Sequence, residues 1–391
     1  EEANRKHIEA MSNTTKATSH RKAYKEKPIV EYSYKWKIPK REPTITEVLW
    51  KYEGGGWGDF EEDYGTKMLL QSEIEQQVQI IINKIFKPNS FKSVLKREQT
   101  LFPSTSAHLE DIASRVHGGA VNIVKDLFTP SIGELDRMTF HPRTGVITHY
   151  GVSYDVADTL ASSLLENDFV AEPVYLREPL KVRTITKGPS IPYWFFRPVQ
   201  KFLWGSLQRH KVFQLIGTPI KGELLDEMLP YANPEGKWLS GDYSAATDNL
   251  VRWLTKSIWS KICLRAGISD SIYELGLKGL VGHKIRYADR EILQQNGQLM
   301  GSPLSFPILC IANAAICLLA FDKNRRNLNK CALRVNGDDC VMCYTDSERS
   351  RWSKYAEFIG MSPSPGKCYY AQDWLQMNSE LFVLRNGHFR Q

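Results

Sequence analysis

Between Met68 and Phe86 the apolar residues Met68, Leu69, Ile74, Val78, Ile81, Ile82 and Ile85 recur at helical spacing, and Lys87-Pro88-Asn89 ends the run. Ala107–Phe128 has a weaker helical pattern, interrupted at Gly118-Gly119. Ser153–Leu165 has a clearer one, which Ser153 can cap. The pattern then changes period. Val174-Tyr175-Leu176 and Pro179 to Lys187 predict extended chain, and Pro192 to Lys211 predicts a helix rich in aromatics that serve packing. A strand ends near Asp242. Thr247 or Asp248 is placed to start a helix over Leu250–Ala266, and Phe306–Phe321 is an apolar run of sixteen residues broken only by Asn313. Such a run is shorter than a membrane span and predicts a buried helix. No repeat or low-complexity tract is visible.

The last strong pattern is a pair of β-prone runs, Leu333-Arg334-Val335 and Val341-Met342-Cys343-Tyr344, around Asn336-Gly337-Asp338-Asp339. This predicts a tight hairpin with two carboxylates at its tip. Taken alone, those acids fit a solvated turn. Their meaning depends on partners elsewhere.

The 391 residues carry a net charge of +7, and residues 1–41, with eleven Lys/Arg against five Glu, hold +6 of it. That segment suits either a basic arm on RNA or a loosely packed extension. Gly54-Gly55-Gly56 lacks the Gly-Lys-Ser/Thr ending of a phosphate loop and predicts a turn. Seven cysteines, mostly within apolar runs, predict buried free thiols in a reducing compartment. Cys340 and Cys343 have zinc-like spacing but no second pair. The chain opens without methionine and is expected to be a fragment of a longer polypeptide.

Three further stretches give the acidic hairpin its context. In an extended segment Lys181 and Arg183 share one face, and paired cations suit a triphosphate, although a solvated edge strand would look the same. Asp242-Tyr243-Ser244-Ala245-Ala246-Thr247-Asp248 follows the end of a strand. An aspartate there, opposite an Asp-Asp turn, would make a carboxylate pocket that needs a cation to stay ionised, and Mg²⁺ or Mn²⁺ fits such oxygen donors. Two ions about 4 Å apart can activate a 3′-oxygen and stabilise departing pyrophosphate. Asn296 to Phe306, through Gly301-Ser302-Pro303, is a flexible loop feeding the apolar helix. Its polar Ser302 and Ser305, with Asn313 further on, suit a ribose or a template strand.

In this order, and with Pro363-Ser364-Pro365-Gly366-Lys367 and Asn378 to Asn386 beyond, the chain resembles RNA-directed RNA polymerases of positive-strand RNA viruses. The order matches the family's motifs F, A, B, C, D and E. The Asp242/Asp248 spacing, Met300 to Pro307 and Asn336-Gly337-Asp338-Asp339 look most like the leviviral, narnaviral and ourmiaviral group. The resemblance runs from about residue 175 to 385.

The resemblance implies an α+β right-hand polymerase fold, with fingers, palm and a truncated or missing thumb. Residues 1–89 would be a basic extension and 90–219 the fingers including motif F. Residues 220–265 would be palm, 266–302 a fingers insertion with the motif B loop, and 303–391 the rest of the palm. It implies that Asp242 and Asp338 ligate two Mg²⁺ or Mn²⁺ ions, with Asp339 and the Tyr243 carbonyl beside them, and that Lys367 is a general acid. Arg177, Lys181, Arg183 and Lys187 would hold the triphosphate. Asp248, Ser302, Ser305 and Asn313 would line the nucleotide pocket, with Gly301 and Ser302 also meeting RNA. The partners implied are template RNA and nascent strand, ribonucleoside triphosphates, and a further polypeptide or C-terminal segment supplying the thumb, with no transmembrane segment. The expected location is host cytoplasm, or the mitochondrion. A reverse transcriptase-like palm, a non-catalytic RNA-binding relict and an unrelated metal-dependent phosphotransferase are the competing readings. Asp248 and the full set of acids speak against the first two, and the Gly301-Ser302 and Lys181/Arg183 stretches against the third.

Overall fold

The computed structural model describes residues 57–91, 100–101, 138–140, 147–150, 154–178 and 181–391. The chain divides into two compact units, Glu1–Asp63 and Tyr64–Gln391, and the second is an α+β body. The expected helix over 107–128, the Gly54–Gly56 turn, the Ser153 cap and the basic arm lie outside the described residues.

In chain order the strands are β1 (Thr100–Leu101), β2 (Met138–Phe140), β3 (Ile147–Tyr150), β4 (Val170–Glu178), β5 (Lys181–Lys187), β6 (Lys237–Gly241) and β7 (Lys284–Arg286). There follow β8 (Glu291–Leu293), β9 (Leu333–Asn336), β10 (Asp339–Tyr344), β11 (Tyr369–Ala371), β12 (Trp374–Met377), β13 (Glu380–Arg385) and β14 (His388–Arg390). They form four sheets, ordered β1-β3-β2, β5-β4-β7-β8, β11-β6-β10-β9 and β12-β13-β14. Among the described residues only the β4–β7 pairing is parallel.

The sheet β11-β6-β10-β9 is the centre of the body. Its register sets Cys340 opposite Gly241 and Val335, so the β9–β10 turn stands beside the exit of β6. Alternation sends Leu239, Leu333, Val335, Cys340, Met342 and Tyr344 to one face, into the large core. Trp238, Val341 and Cys343 go to the other face, a smaller core closed by residues 215–228 and by the sheet β12-β13-β14. Burial on both faces explains why these strands are apolar throughout rather than alternating. Cys340 and Cys343 therefore lie on opposite faces and cannot chelate one ion together. All seven cysteines are free, six of them buried.

The helices on the large-core face follow the apolar pattern. Helix Trp57–Ile85 buries Ile74, Val78, Ile81, Ile82 and Ile85. Helix Ser305–Ala320 has fifteen of its sixteen residues buried, and each Leu or Ile there contributes about 1.5–3 kcal/mol. Helix Ser190–Leu207 buries Trp194, Phe195, Phe196 and Phe202, so its aromatics are packing residues. One boundary differs from expectation. Neither Thr247 nor Asp248 caps the long helix, because a separate turn Ala246–Asn249 comes first and Leu250-Val251 is extended. The helix itself runs Arg252–Ala266 from Val251. Ser302 likewise does not cap the apolar helix, whose N-cap is Leu304.

Candidate active site

The β9–β10 turn is built for its place. Gly337 has φ +71° and Asp338 is not left-handed, the pattern of a two-residue turn with glycine first. A Cβ at 337 would also lie 2.8 Å from the Phe306 ring, so only glycine fits. The Gly337 N–H donates to Cys310 Sγ at 3.2 Å. From the apolar helix, Asn313 Nδ2 donates to the carbonyls of Gly337 and Asp338 at 3.0 and 3.1 Å. Its Oδ1 accepts the Tyr243 hydroxyl at 2.7 Å. One buried asparagine thus ties the acidic turn to the residue after Asp242. Trp352 Nε1 donates to the same hydroxyl at 3.0 Å, fixing Tyr243 from a third element.

Asp242 leaves β6 with its carbonyl held by the Ser364 N–H (2.9 Å) and by Cys368 Sγ (3.1 Å). Tyr243 bridges Pro363, and the bonds on that side belong to their neighbours, Ser244 to Ser362 and Ser364 to Asp242. The Tyr243 carbonyl is thereby directed to the β10 side, where the Asp338-Asp339 turn stands. Lys367 Nζ lies 3.4 Å from Asp242 Oδ2, on a side chain 69% exposed. An ion pair so open is worth little on its own.

The electrostatics bring the three acids together. Burial, then the charge of Asp242, pushes the Asp338 carboxyl above its ordinary value, against which Arg183 acts. Asp339 is pushed up to about 6 by burial, then by Asp338 and Asp242, with Lys367 opposing. A cavity of about 290 Å³ opens here, lined by Asp242, Asp339, Lys367 and, from the β12–β13 hairpin, Gln376 and Asn378 among others. Among the described residues, no three His, Cys, Asp or Glu side chains converge closely enough to hold a metal ion between them. The donor set nevertheless suits hard divalent cations, since the charge of Asp242 helps raise the proton affinity of Asp338 and of Asp339, and a cation would relieve that repulsion.

Two more elements close on this end of the sheet. The turn Ala246–Asn249 carries Asp248, an exposed residue whose carboxyl is shifted upward by partial desolvation. A Cβ at Gly297 would sit 2.1 Å from the Asp248 carbonyl oxygen, and one at Gly301 would sit 1.9 Å from that of Thr186. Glycines at 297 and 301 thus let the loop before the apolar helix lie against both the Asp248 turn and the end of β5.

The predicted site residues divide accordingly. Asp242, Asp338, Asp339, Lys367 and Arg183 come together, with Asp248 on the adjoining turn. Arg177 does not join them. Register pairs Arg183 with Leu176 and Arg177 with Val182, so Arg177 projects from the opposite face of the β4–β5 hairpin. Lys187 shares the Arg183 face by alternation, and Lys181 lies on the same strand with its side chain outside the described residues. Ser302, Ser305 and Asn313 are buried (4%, 3% and 0% exposed) beneath the site rather than along its wall. Ser302 Oγ donates to the Gly279 carbonyl at 2.7 Å, and Ser305 Oγ has no partner. Sequence reasoning missed Cys368, Trp352, and the contact of Asn336 Nδ2 with Asn378 Oδ1 at 3.0 Å, which joins the acidic turn to the β12–β13 turn. Only the Asn378-Ser379 pair, both at positive φ, carried a visible signal, that of a tight hairpin.

No family model matches the chain. It is 33% identical to the RNA-dependent RNA polymerase of Ourmia melon virus over 317 residues, covering 73% of this chain and 36% of that protein. It is 23% identical to the RNA-directed RNA polymerase of Saccharomyces 23S RNA narnavirus over 223 residues, covering 52% of this chain and 23% of that one. The chain thus spans about a third or less of the length of the relatives it matches. No helix of the described residues is long and apolar enough to cross a membrane.

Proposed function

This chain is an ourmiavirus- and narnavirus-like RNA polymerase sequence, and from that kinship we propose that it carries the catalytic palm and part of the fingers of a right-hand, RNA-directed RNA polymerase. The reaction would extend a nascent RNA on an RNA template with ribonucleoside triphosphates. The observation that carries this reading is the gathering of Asp242, Asp338 and Asp339 from separate segments at one end of the central sheet, with Arg183 acting on Asp338 and Lys367 on Asp242.

Asp242 and Asp338 would hold two Mg²⁺ or Mn²⁺ ions, with Asp339 and the Tyr243 carbonyl beside them. When bound, such ions supply activation of the 3′-hydroxyl and neutralisation of developing phosphate charge. Arg183, with Lys187 on the same strand face and Lys181 on the same strand, would grip the triphosphate and set its α-phosphorus for attack. Lys367, long and exposed, would swing from Asp242 to place its proton at the departing pyrophosphate. Asp248, exposed on the adjoining turn, would accept a hydrogen bond from the ribose 2′-hydroxyl. Arg177 is left out of the triphosphate grip because it faces the other way.

The test is extension of an RNA primer–template by the purified chain, with ribonucleotides and Mg²⁺ or Mn²⁺. The expected result is metal-dependent synthesis that Asp242→Ala abolishes while RNA binding persists. Synthesis that survives Asp242→Ala would exclude this assignment. Binding of RNA without synthesis by the wild type would favour a non-catalytic RNA-binding role.

A further inference from the structure

The three residues Asn296, Gly297 and Gln298, just ahead of the Gly301-Ser302 loop, lie against the turn Ala246–Asn249. That turn is too short to satisfy its own main chain. The N–H groups of Asp248 and Asn249 donate to the Ala245 carbonyl and that of Leu250 to the Ala246 carbonyl, each at 3.0 Å. The carbonyls of residues 247 to 250 then have no continuing helix to receive them, because Val251 is extended.

The three residues meet all four carbonyls. The Gln298 N–H donates to Thr247 at 2.7 Å and the Gly297 N–H to Leu250 at 3.1 Å. Asn296 Nδ2 donates to the Asn249 carbonyl at 3.2 Å. The fourth carbonyl, of Asp248, packs on Gly297 itself, where no Cβ could fit.

Asn296 also accepts. Its Oδ1 receives the Arg252 N–H at 3.2 Å, in the first turn of helix Arg252–Ala266, where an N–H has no acceptor within its own helix. The two bonds fix which way the Asn296 amide faces. One side chain therefore bridges the extended step between the turn and the helix. The stretch is itself anchored from behind: Gln298 Nε2 donates to Thr255 Oγ1 at 3.1 Å, both residues buried, and Gln294 Nε2 donates to the Gly297 carbonyl at 3.0 Å.

This grip bears on Asp248. Its side chain is exposed, and among the described residues no other side chain is bonded to its carboxylate. The place of that carboxylate is thus set by the main chain of the turn.

We propose that Asn296 is a positioning residue for sugar choice: by bridging Asn249 and Arg252 it holds the turn so that the Asp248 carboxylate meets the incoming ribose at one fixed place, without itself touching substrate. The selectivity rests on the proposed polymerase activity and on the role given there to Asp248; the grip on the turn does not.

The wild-type chain, Asn296→Ala, Asp248→Ala and the double variant test both parts. Asn296 is exposed, so truncating it leaves the core intact. Hydrogen–deuterium exchange at the Arg252 amide should become about fivefold faster in Asn296→Ala, the weight of one typical hydrogen bond. Asn296→Asp keeps the acceptor and should leave that amide protected. In extension assays Asn296→Ala should raise the ribonucleotide KM about fivefold on the same grounds, with kcat and the deoxyribonucleotide KM unchanged. A general loosening of the fold would not split the two sugars. In the Asp248→Ala background the same change should alter selectivity no further. Unchanged exchange at Arg252, an equal rise in both KM values, or an added loss of selectivity in the Asp248→Ala background would overturn the proposal. A wild-type chain that makes no RNA would instead count against the polymerase reading, and exchange at Arg252 would still decide whether Asn296 holds the turn.

Discussion

The central sheet carries charge at both ends, and the two ends treat it differently. Near the C-terminal end of β10, Glu348 is fully buried, and both its oxygens receive Arg325 Nη1, at 2.7 and 2.8 Å. Glu348 also closes the capping box of helix Asp346–Phe358 with Thr345. Arg325 continues to the carbonyls of Tyr231 and Cys343 and stacks on Phe321. At the opposite end, the charge of Asp242 helps raise the proton affinity of both Asp338 and Asp339, opposed by an exposed lysine and by Arg183. Glu348 is paired and serves the fold. The three aspartates leave a surplus of negative charge, which suits them to bind a cation.

That contrast can be broken from either end. The largest effect on stability should come from Glu348→Ala, which orphans Arg325 and uncaps a helix. Breaking a buried pair costs about 3–5 kcal/mol, read as a lower denaturant midpoint, with metal-dependent synthesis retained in the fraction still folded. Asn313→Ala should cost about 2–3 kcal/mol, since it strands the Tyr243 hydroxyl and two turn carbonyls. Unlike Glu348→Ala, it should also slow nucleotide incorporation by the folded protein, because Asn313 joins the two acidic segments. Asp248→Ala should leave the unfolding midpoint in place and reduce the preference for ribo- over deoxyribonucleotides about tenfold, scored by competition; a strict preference in that variant would remove its role.

The smallest effect is on the pH dependence of stability. The folded-state pKa of Asp339, about 6, lies above its unfolded value, so the native state binds the extra proton. Metal-free protein should therefore lose stability as pH rises from about 4 to about 6. Saturating Mg²⁺ should flatten that slope. An opposite slope that Asp339→Asn abolishes would contradict the balance of charge described here.

The two ends also differ in how legible they were. Asn336-Gly337-Asp338-Asp339 announced itself because turn chemistry is local: a glycine at positive φ between β-prone runs predicts the hairpin. The buried helix over 306–321 and the β4–β5 hairpin were equally local in pattern. Glu348 and Arg325 gave no signal, because 23 positions separate them and nothing in either neighbourhood requires a partner. Arg177 looked like Arg183 in composition, and only the register of the hairpin separates their faces. Asp248 looked like a helix cap, but Ala245 at φ +49° begins a separate turn, which propensity does not foresee. Asn313 was noticed as odd in an apolar helix. Its work, holding two acidic segments by their main chain and a tyrosine hydroxyl, depends on contacts 70 and 24 positions away.

The most direct measurement is Asp338→Asn read two ways on one preparation, by RNA extension with Mn²⁺ or Mg²⁺ and by thermal unfolding. Neutralising one of three crowded carboxylates should abolish extension and leave the unfolding temperature of the metal-free protein unchanged or higher. Extension that persists, or a loss of stability like that of Glu348→Ala, would contradict the account.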